Sequence, residues 1–184
     1  MNLTIINITF WTLYGILEEI ESFLEKNTVF DRLKLDLNTL DVRGRGLDGV
    51  YLTVLGTSAD GADSGQVGRG NRVNGVIPLN RPIGSEAAAG KNPVSHVGKI
   101  YNVLSYRIAN EIYNNVSGIK EVYIWLLSQI GRRIDHPKVA AAQVIMENGS
   151  IDDVRKEVHE VVDRELENIN NFCMDLAKGK IPVC

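Results

Sequence analysis

Glycine is concentrated in one part of this chain. Twelve of the 17 glycines in the 184-residue sequence lie between Gly44 and Gly98. Glycine weakens the interior of a helix or a strand because it loses the most backbone freedom on folding. This density therefore predicts turns and loop over the segment, with regular elements before and after it.

The same segment is locally basic. Residues 62–99 carry five basic and two acidic side chains, an excess of three positive charges, whereas the whole chain carries −3. They are Arg69, Arg72, Arg81, Lys91 and Lys99 against Asp63 and Glu86. Glycine lets backbone N–H groups approach an anion closely, and Arg and Lys add charge and directed donors. The segment is either an anion site or a long surface loop with turn glycines.

Several longer sequence motifs, called words here, help to distinguish an anion site from a surface loop. They are GTSA (56–59), GRGNRVNG (68–75), RP (81–82), EAAAGKNPV (86–94), HVGKIYN (96–102) and LSQIG (127–131). Through these words the chain resembles the archaeal type of S-adenosylmethionine synthetase, also called methionine adenosyltransferase. The similarity is dense from about Val50 to Asp135 and weaker on both sides.

The resemblance implies an enzyme reaction. In that family the sulfur of methionine attacks the ribose C5′ of ATP, triphosphate leaves, and the triphosphate is then cleaved to pyrophosphate and phosphate. A thioether carries no proton, so the attack needs no general base. It needs in-line placement and strong neutralisation of the leaving group. The resemblance also implies ATP and methionine as ligands, with Mg²⁺ and K⁺ as cofactors.

Two words match phosphate-contacting patterns of the wider family. Residues 63–69 follow Asp-X-Gly-X-X-Gly-Arg, and residues 90–93 follow Gly-Lys-Asp/Asn-Pro. By this match Arg69 and Lys91 are expected to grip the polyphosphate as the catalytic residues, and Asp63 to hold the methionine ammonium. The alternative is that Asp63 bonds its own turn and that Arg69 and Lys91 are surface charges.

Three further substrate-binding residues are expected more indirectly. The bacterial pattern continues with Lys after its Arg, but this chain has Gly70 there, so Arg72 is expected to supply that charge. His96 and Lys99 stand near a family lysine, with different spacing. Both lie at the start of a predicted helix, where backbone amides favour an anion. Alternatively, His96 is only a helix-terminal residue and Lys99 faces water.

The chain also departs from the family pattern. Family members are longer, and their N-terminal half carries a Gly-His-Pro-Asp word and a second acidic, glycine-rich word, neither of which occurs here. We therefore expect the C-terminal half only, inactive in isolation, forming a homodimer or pairing with an N-terminal half. Any Mg²⁺ would be held mainly by phosphate oxygens and by that half. The alternative function is a non-catalytic interaction or regulatory subunit, or a truncated remnant.

Composition excludes several other classes. Hydrophobic residues make up 44% and charged residues 23%, as in ordinary globular proteins. The net charge argues against general nucleic-acid binding. No stretch approaches the roughly 20 apolar residues of a membrane helix, and the start lacks the basic leader of a signal peptide. Two cysteines, Cys173 and Cys184, fit a reducing cytosol and predict a cytoplasmic location.

Periodicity predicts the elements before the glycine-dense segment. Leu3–Phe10 alternates loosely and is compatible with a strand. Apolar residues recurring at three and four predict an amphipathic helix over Trp11–Lys26. Alternation of apolar and charged residues over Leu33–Leu37 predicts a strand with one solvent-exposed face. Val50–Leu55 is predicted to be a strand because it is rich in β-branched residues.

The second half predicts a helix, two strands and a helix. The first helix runs from Val97 to before Gly118, with Ser95 as N-cap. Strands follow at Glu121–Ile130, with both faces partly buried, and at Val139–Met146. Ser150 and Asp153 suggest a capping box. One long final helix then carries an apolar stripe of Val154, Val158, Val161, Ile169, Phe172 and Leu176.

These elements predict an α+β fold, with layers of antiparallel or mixed β-sheet covered by helices. The synthetase resemblance implies that the layers belong to three interleaved domains, with active sites between two subunits. On that view residues 1–56 are a partial strand and helix domain, 57–99 a glycine-rich substrate-binding segment of the central domain, and 100–184 a C-terminal α+β domain.

Overall fold

A computed structural model describes residues 2–29, 33–50, 73, 75, 78–82, 84 and 86–183, and for residues 2–14 the backbone alone. The chain divides into two compact units, Met1–Gly61 and Ala62–Cys184. Residues 51–72 lie outside the described residues, and with them most of the predicted strand Val50–Leu55. None of the helices in the described part of the chain is long and apolar enough to cross a membrane.

The first unit contains helix α1, Asn2–Asn27, and a short 3-10 helix at Gly46–Gly49. The predicted helix at Trp11–Lys26 is confirmed, but the strand at Leu3–Phe10 is wrong because α1 already covers those residues. The strand at Leu33–Leu37 is also wrong, since residues 33–36 have no regular structure. A strand requires a neighbour to pair with, and none of the described residues of this unit forms one.

The second unit carries the sheet. Its elements are α2 (Val97–Asn115), β1 (Ile119–Leu127), β2 (Val139–Met146), α3 (Ile151–Glu167) and α4 (Ile169–Ala177). β1 and β2 pair antiparallel, with Trp125 opposite Ala141 and Leu127 opposite Val139. The predicted β2 is confirmed residue for residue, and β1 is confirmed with its ends shifted by two and three residues. The described fold is α+β, as predicted.

The core of the second unit lies between the helices and one face of this sheet. α2 contributes its completely buried residues Ile100, Leu104, Ile108 and Ile112. Val122, Ile124 and Leu126 of β1 pack against the same cluster. The other face of β1 carries Tyr123, which is partly buried as expected, and Trp125 and Leu127, which are more exposed.

The C-terminal helical region is broken where one helix was predicted. α3 ends at Glu167 and α4 begins at Ile169, with Asn168 between them at φ −90° and ψ +11°. The predicted apolar stripe is nevertheless buried along both helices. The capping box is confirmed: Ser150 accepts from Asp152 N–H and the Asp153 side chain accepts from Ser150 N–H. Burial of the stripe therefore continues through the break.

Candidate functional site

The end of the glycine-dense segment is shaped by a turn that leads into α2. The side chain of Asn92 accepts hydrogen bonds from the N–H groups of Val94 (2.9 Å) and Ser95 (3.1 Å). The N-cap is His96, not Ser95 as predicted, and its Nδ1 accepts from Gly98 N–H at 3.1 Å. His96 has the extended backbone of an N-cap residue (φ −94°, ψ 101°), so the cap lies one residue later than predicted. This turn places Lys91 beside the first turn of α2.

Lys99 is buried in that first turn and reaches back to the loop. Its Nζ donates to the backbone carbonyl of Lys91 at 2.9 Å. Burial is the main reason that the pKa of Lys99 is lowered, and the charge of Lys91 lowers it further. Lys99 is thus brought together with Lys91, and in this structure it binds the backbone that carries Lys91. It does not face water.

Glu86 completes the cluster around Lys91. Its Oε1 lies 2.6 Å from Lys91 Nζ. A methyl group added at Gly98 would come within 3.1 Å of Glu86 Cγ and 2.8 Å of His96 Cε1. The Glu86 side chain therefore lies against the first turn of α2, beside the His96 ring. The hydrogen bond from Lys91 lowers the pKa of the Glu86 carboxyl, and the charges of Lys91 and His96 lower it further, against a smaller opposing effect of burial.

We define Glu86, Lys91, Asn92, His96, Gly98 and Lys99 as the α2 N-terminal cluster. It combines an ammonium at the surface, a second ammonium buried behind it and the positive end of a 19-residue helix. Such an arrangement is able to bind an anion, and the carboxylate of Glu86 already lies in it. Asp63, Arg69 and Arg72 lie outside the described residues, so their assignments stay predictions.

Two residues of this cluster were not singled out from the sequence. In the sequence Glu86 is only one of two local acidic charges, and four residues separate it from Lys91. Asn92 offered a clearer signal, because an Asn-Pro pair favours a turn in which the Asn side chain bonds the backbone ahead of it. In the part of the chain that the structure describes, no three His, Cys, Asp or Glu side chains come together as metal ligands.

Comparison with known proteins bears directly on this cluster. The family model of S-adenosylmethionine synthetase matches residues 10–180, which include the whole cluster. The chain belongs to the S-adenosylmethionine synthetase family. The resemblance seen in the sequence words is thereby confirmed.

Individual members of the S-adenosylmethionine synthetase family are similar over most of this chain. An S-adenosylmethionine synthase of Methanothermobacter thermautotrophicus is 47% identical over 177 residues, covering 89% of this chain and 44% of its own length. One from Thermococcus onnurineus is 50% identical over 153 residues, covering 83% and 37%. One from Thermoplasma acidophilum is 45% identical over 176 residues, covering 92% and 44%. The chain thus spans less than half the length of these synthases.

Proposed function

We propose that this chain forms the polyphosphate-binding wall of an S-adenosylmethionine synthetase active site, with Lys91 as the principal contact. The observation that carries the proposal is the α2 N-terminal cluster, where the Lys91 ammonium stands beside the positive end of α2 and its backbone is held by Lys99. Charge-assisted contacts and a helix N-terminus are the two devices by which proteins commonly hold phosphate.

The reaction proposed for the complete site is the one implied by the family. The methionine sulfur attacks C5′ of ATP, a C–S bond forms, and the C5′–O bond breaks with its electron pair going to triphosphate. Lys91 stabilises the negative charge that builds on the leaving triphosphate, which is the largest electrostatic demand of the step. Subsequent cleavage of triphosphate to pyrophosphate and phosphate needs the same contacts.

The remaining assignments are carried by the sequence match. We assign Arg69 to the polyphosphate together with Lys91, Arg72 as an additional cation, and Asp63 to the methionine ammonium. His96 and Lys99 support the site from α2: His96 caps the helix and Lys99 holds the Lys91 backbone. The resemblance implies Mg²⁺ and K⁺ as cofactors, but no group of metal-ligating side chains occurs among the described residues.

The proposed partners follow from the fraction of the length of each similar synthase that this chain covers. Because it spans 33–44% of the length of similar synthases, we propose that the complete site needs residues that one copy of this chain does not supply, provided either by a second copy in a homodimer or by a paired N-terminal half. ATP and methionine are the proposed ligands, three interleaved domains the proposed fold of the assembly, and the cytoplasm its proposed location. The domain limits 1–56, 57–99 and 100–184 stay a prediction.

Binding of tripolyphosphate tests the site. We expect calorimetry to show that the chain binds tripolyphosphate in low salt, and that Lys91→Ala and Arg69→Ala each weaken binding about tenfold or more. A hydrogen bond involving a charged group contributes about 1.5–3 kcal/mol, and about 1.4 kcal/mol corresponds to tenfold. Lys156→Ala is the control, since it removes the same charge from an exposed position on α3. Equal binding by all four proteins would refute the assignment.

The second candidate function is a non-catalytic subunit. The chain covers less than half of each similar synthase. This favours a non-catalytic role, because the residues that would face the polyphosphate-binding residues across the active site are missing from the chain alone. We expect no S-adenosylmethionine when the 184-residue chain alone is incubated with ATP, methionine and Mg²⁺ and analysed by mass spectrometry. Product at a rate that depends on Lys91 would show that the chain is sufficient. If tripolyphosphate binding is absent as well, a purely structural or interaction role is the better description.

A further inference from the structure

Glu86 stands where a substrate anion is expected. Its carboxylate lies 2.6 Å from the Lys91 ammonium and its side chain lies against the first turn of α2, close to Gly98 and to the His96 ring. These are the groups that the proposed function assigns to polyphosphate. A carboxylate and a phosphate oxygen compete for the same ammonium, since both bind it through charge-assisted hydrogen bonds.

We propose that Glu86 is an internal counter-ion of the phosphate site, bound to Lys91 in the free protein and displaced from it when polyphosphate binds. This inference rests on the proposed function and adds a step to it: the site exchanges one anion for another. Glu86 then sets how tightly polyphosphate is held, and its return to Lys91 favours release of the cleaved phosphate products.

The exposure of the two side chains supports an exchange of this kind. The Lys91 side chain is 18% exposed, whereas that of Glu86 is 46% exposed. The hydrogen bond from Lys99 fixes the Lys91 backbone, so that Lys91 has little freedom to move when a ligand binds. Glu86 is able to turn toward water at small cost, because an ion pair with an exposed partner is weak. Its backbone is anchored independently by Ala87 and Ala88, which are buried.

The charges around Lys91 explain why a counter-ion is present. Lys99 lies behind Lys91, and the charge of Lys91 is one reason that the pKa of Lys99 is lowered. Without Glu86 the two ammonium groups would oppose each other with no acidic side chain paired to either among the described residues. Glu86 lowers this repulsion in the free protein, and polyphosphate provides the same relief when it is bound.

The central experiment is a double-mutant cycle with tripolyphosphate as the probe. We expect Glu86→Gln to bind tripolyphosphate about fivefold more tightly than the native chain, because no ion pair has to be broken first. In a Lys91→Met background the same Glu86→Gln change is expected to leave the affinity unchanged within about twofold. Glu157→Gln, at an exposed position on α3, is the control for net charge and is expected to have no effect.

A second readout follows the displaced carboxyl directly. The hydrogen bond from Lys91 lowers the pKa of Glu86 in the free chain, and NMR of the Glu86 carboxyl carbon during a pH titration measures that pKa. We expect it to rise toward the ordinary glutamate value when tripolyphosphate is added, and to be equally high in Lys91→Met without ligand. A pKa of Glu86 that stays low in the complex would mean that the carboxylate has not left Lys91, and the proposal would fail.

The outcomes separate this inference from the function on which it rests. Binding by the native chain that is weakened but still measurable in Lys91→Met, together with no gain in Glu86→Gln, would overturn the counter-ion role and leave the phosphate site standing. An equal gain in tripolyphosphate affinity in Glu86→Gln and Glu157→Gln would show that the effect comes from net charge alone. That result would also overturn the counter-ion role of Glu86. If no variant binds tripolyphosphate, the proposed function fails and this inference fails with it.

Discussion

At the scale of single residues, Glu165 is the most unusual charge in the core. Among the described residues only Lys99 and Glu165 are charged and buried. Arg107 Nε lies 2.7 Å from Glu165 Oε2, but the N–H is not aligned with that oxygen, which has no hydrogen-bond partner of good geometry in the described chain. Arg107 also lies over the Phe172 ring, 5.6 Å from its centre. The pair is therefore a charge contact at the junction of α2, α3 and α4.

Burial raises the pKa of Glu165. Arg107 on α2 opposes that rise, Glu111 on α2 reinforces it, and Arg164 on α3 opposes it more weakly. Arg164 is itself paired with Glu111. Over the pH range just above the ordinary glutamate pKa, the folded protein keeps a proton that the unfolded chain has lost. The folded state then binds more protons, so the free energy of unfolding falls as pH rises through this range.

We expect Glu165→Gln to remove that contribution. The stability of the variant relative to the native chain should increase between about pH 4.5 and the raised pKa of Glu165, as measured by urea unfolding at several pH values. Glu167→Gln, at an exposed position of the same helix, is the control and should give a difference that does not vary with pH. A pH-independent difference for Glu165→Gln would contradict the raised pKa.

At the scale of elements, Gly118 constrains how the antiparallel pair of β1 and β2 connects to α2. It joins α2 to β1 with φ +79°, and its carbonyl accepts from Glu147 N–H at 2.8 Å, next to the end of β2. A Cβ at this position would lie 2.8 Å from the backbone oxygen of Asn148. Two costs therefore combine here: a left-handed backbone and a clash with an atom that cannot move aside easily.

We expect Gly118→Ala to lower the free energy of unfolding by more than about 1 kcal/mol, the typical cost of the backbone conformation alone. Gly179→Ala is a matched control, because Gly179 also has a positive φ (+68°) but nothing lies within 4 Å of its Cβ position. The difference between the two variants in chemical unfolding measures the clash. Equal losses would show that the α2–β1 junction relaxes freely.

At the scale of the whole molecule, the described part of the second unit leaves several apolar side chains on one face of its sheet exposed. Side chains on this face include Trp125, Leu127, Val139 and Ile145, exposed by 43, 53, 43 and 39%. Tyr123 stacks on Trp125 with ring centres 6.4 Å apart, and Arg81 binds Glu121 at 2.8 Å and the Tyr123 hydroxyl at 2.9 Å at the edge of the face. A contiguous apolar surface with a polar rim is typical of an interface.

We expect the chain to self-associate through this face, and Trp125→Glu to shift the equilibrium toward monomer. Sedimentation velocity over a range of concentrations measures the effect, because the average mass of the native chain should rise with concentration. Met174→Glu is the control, since it places the same charge at an exposed apolar position on α4. A native chain that stays monomeric at the highest concentration would contradict the prediction.

Prediction from sequence succeeded where the signal was local. The helix α2, the strand β2 and the Ser150 capping box were all identified, because side-chain periodicity and capping depend on residues within four positions. It failed for Leu33–Leu37, where a strand-like alternation has no described partner strand, and at the N-cap of α2, which is His96 and not Ser95. Alternation does not specify a partner strand, and residue preference does not specify which of two neighbouring polar side chains caps a helix.

The sequence by itself determined the family and the α+β class, and it predicts the role of Lys91, because these follow from residue identities and short spacings. Only the tertiary structure decided that Lys99 is buried behind Lys91, that Glu86 pairs with Lys91, and that Trp125 and Leu127 of β1 are exposed. The physical reason is that burial and ion pairing depend on which distant surfaces pack together. Glu86 and Lys91 are five positions apart, a spacing that does not by itself decide whether their side chains are in contact. The turn that leads into α2 brings the two side chains together.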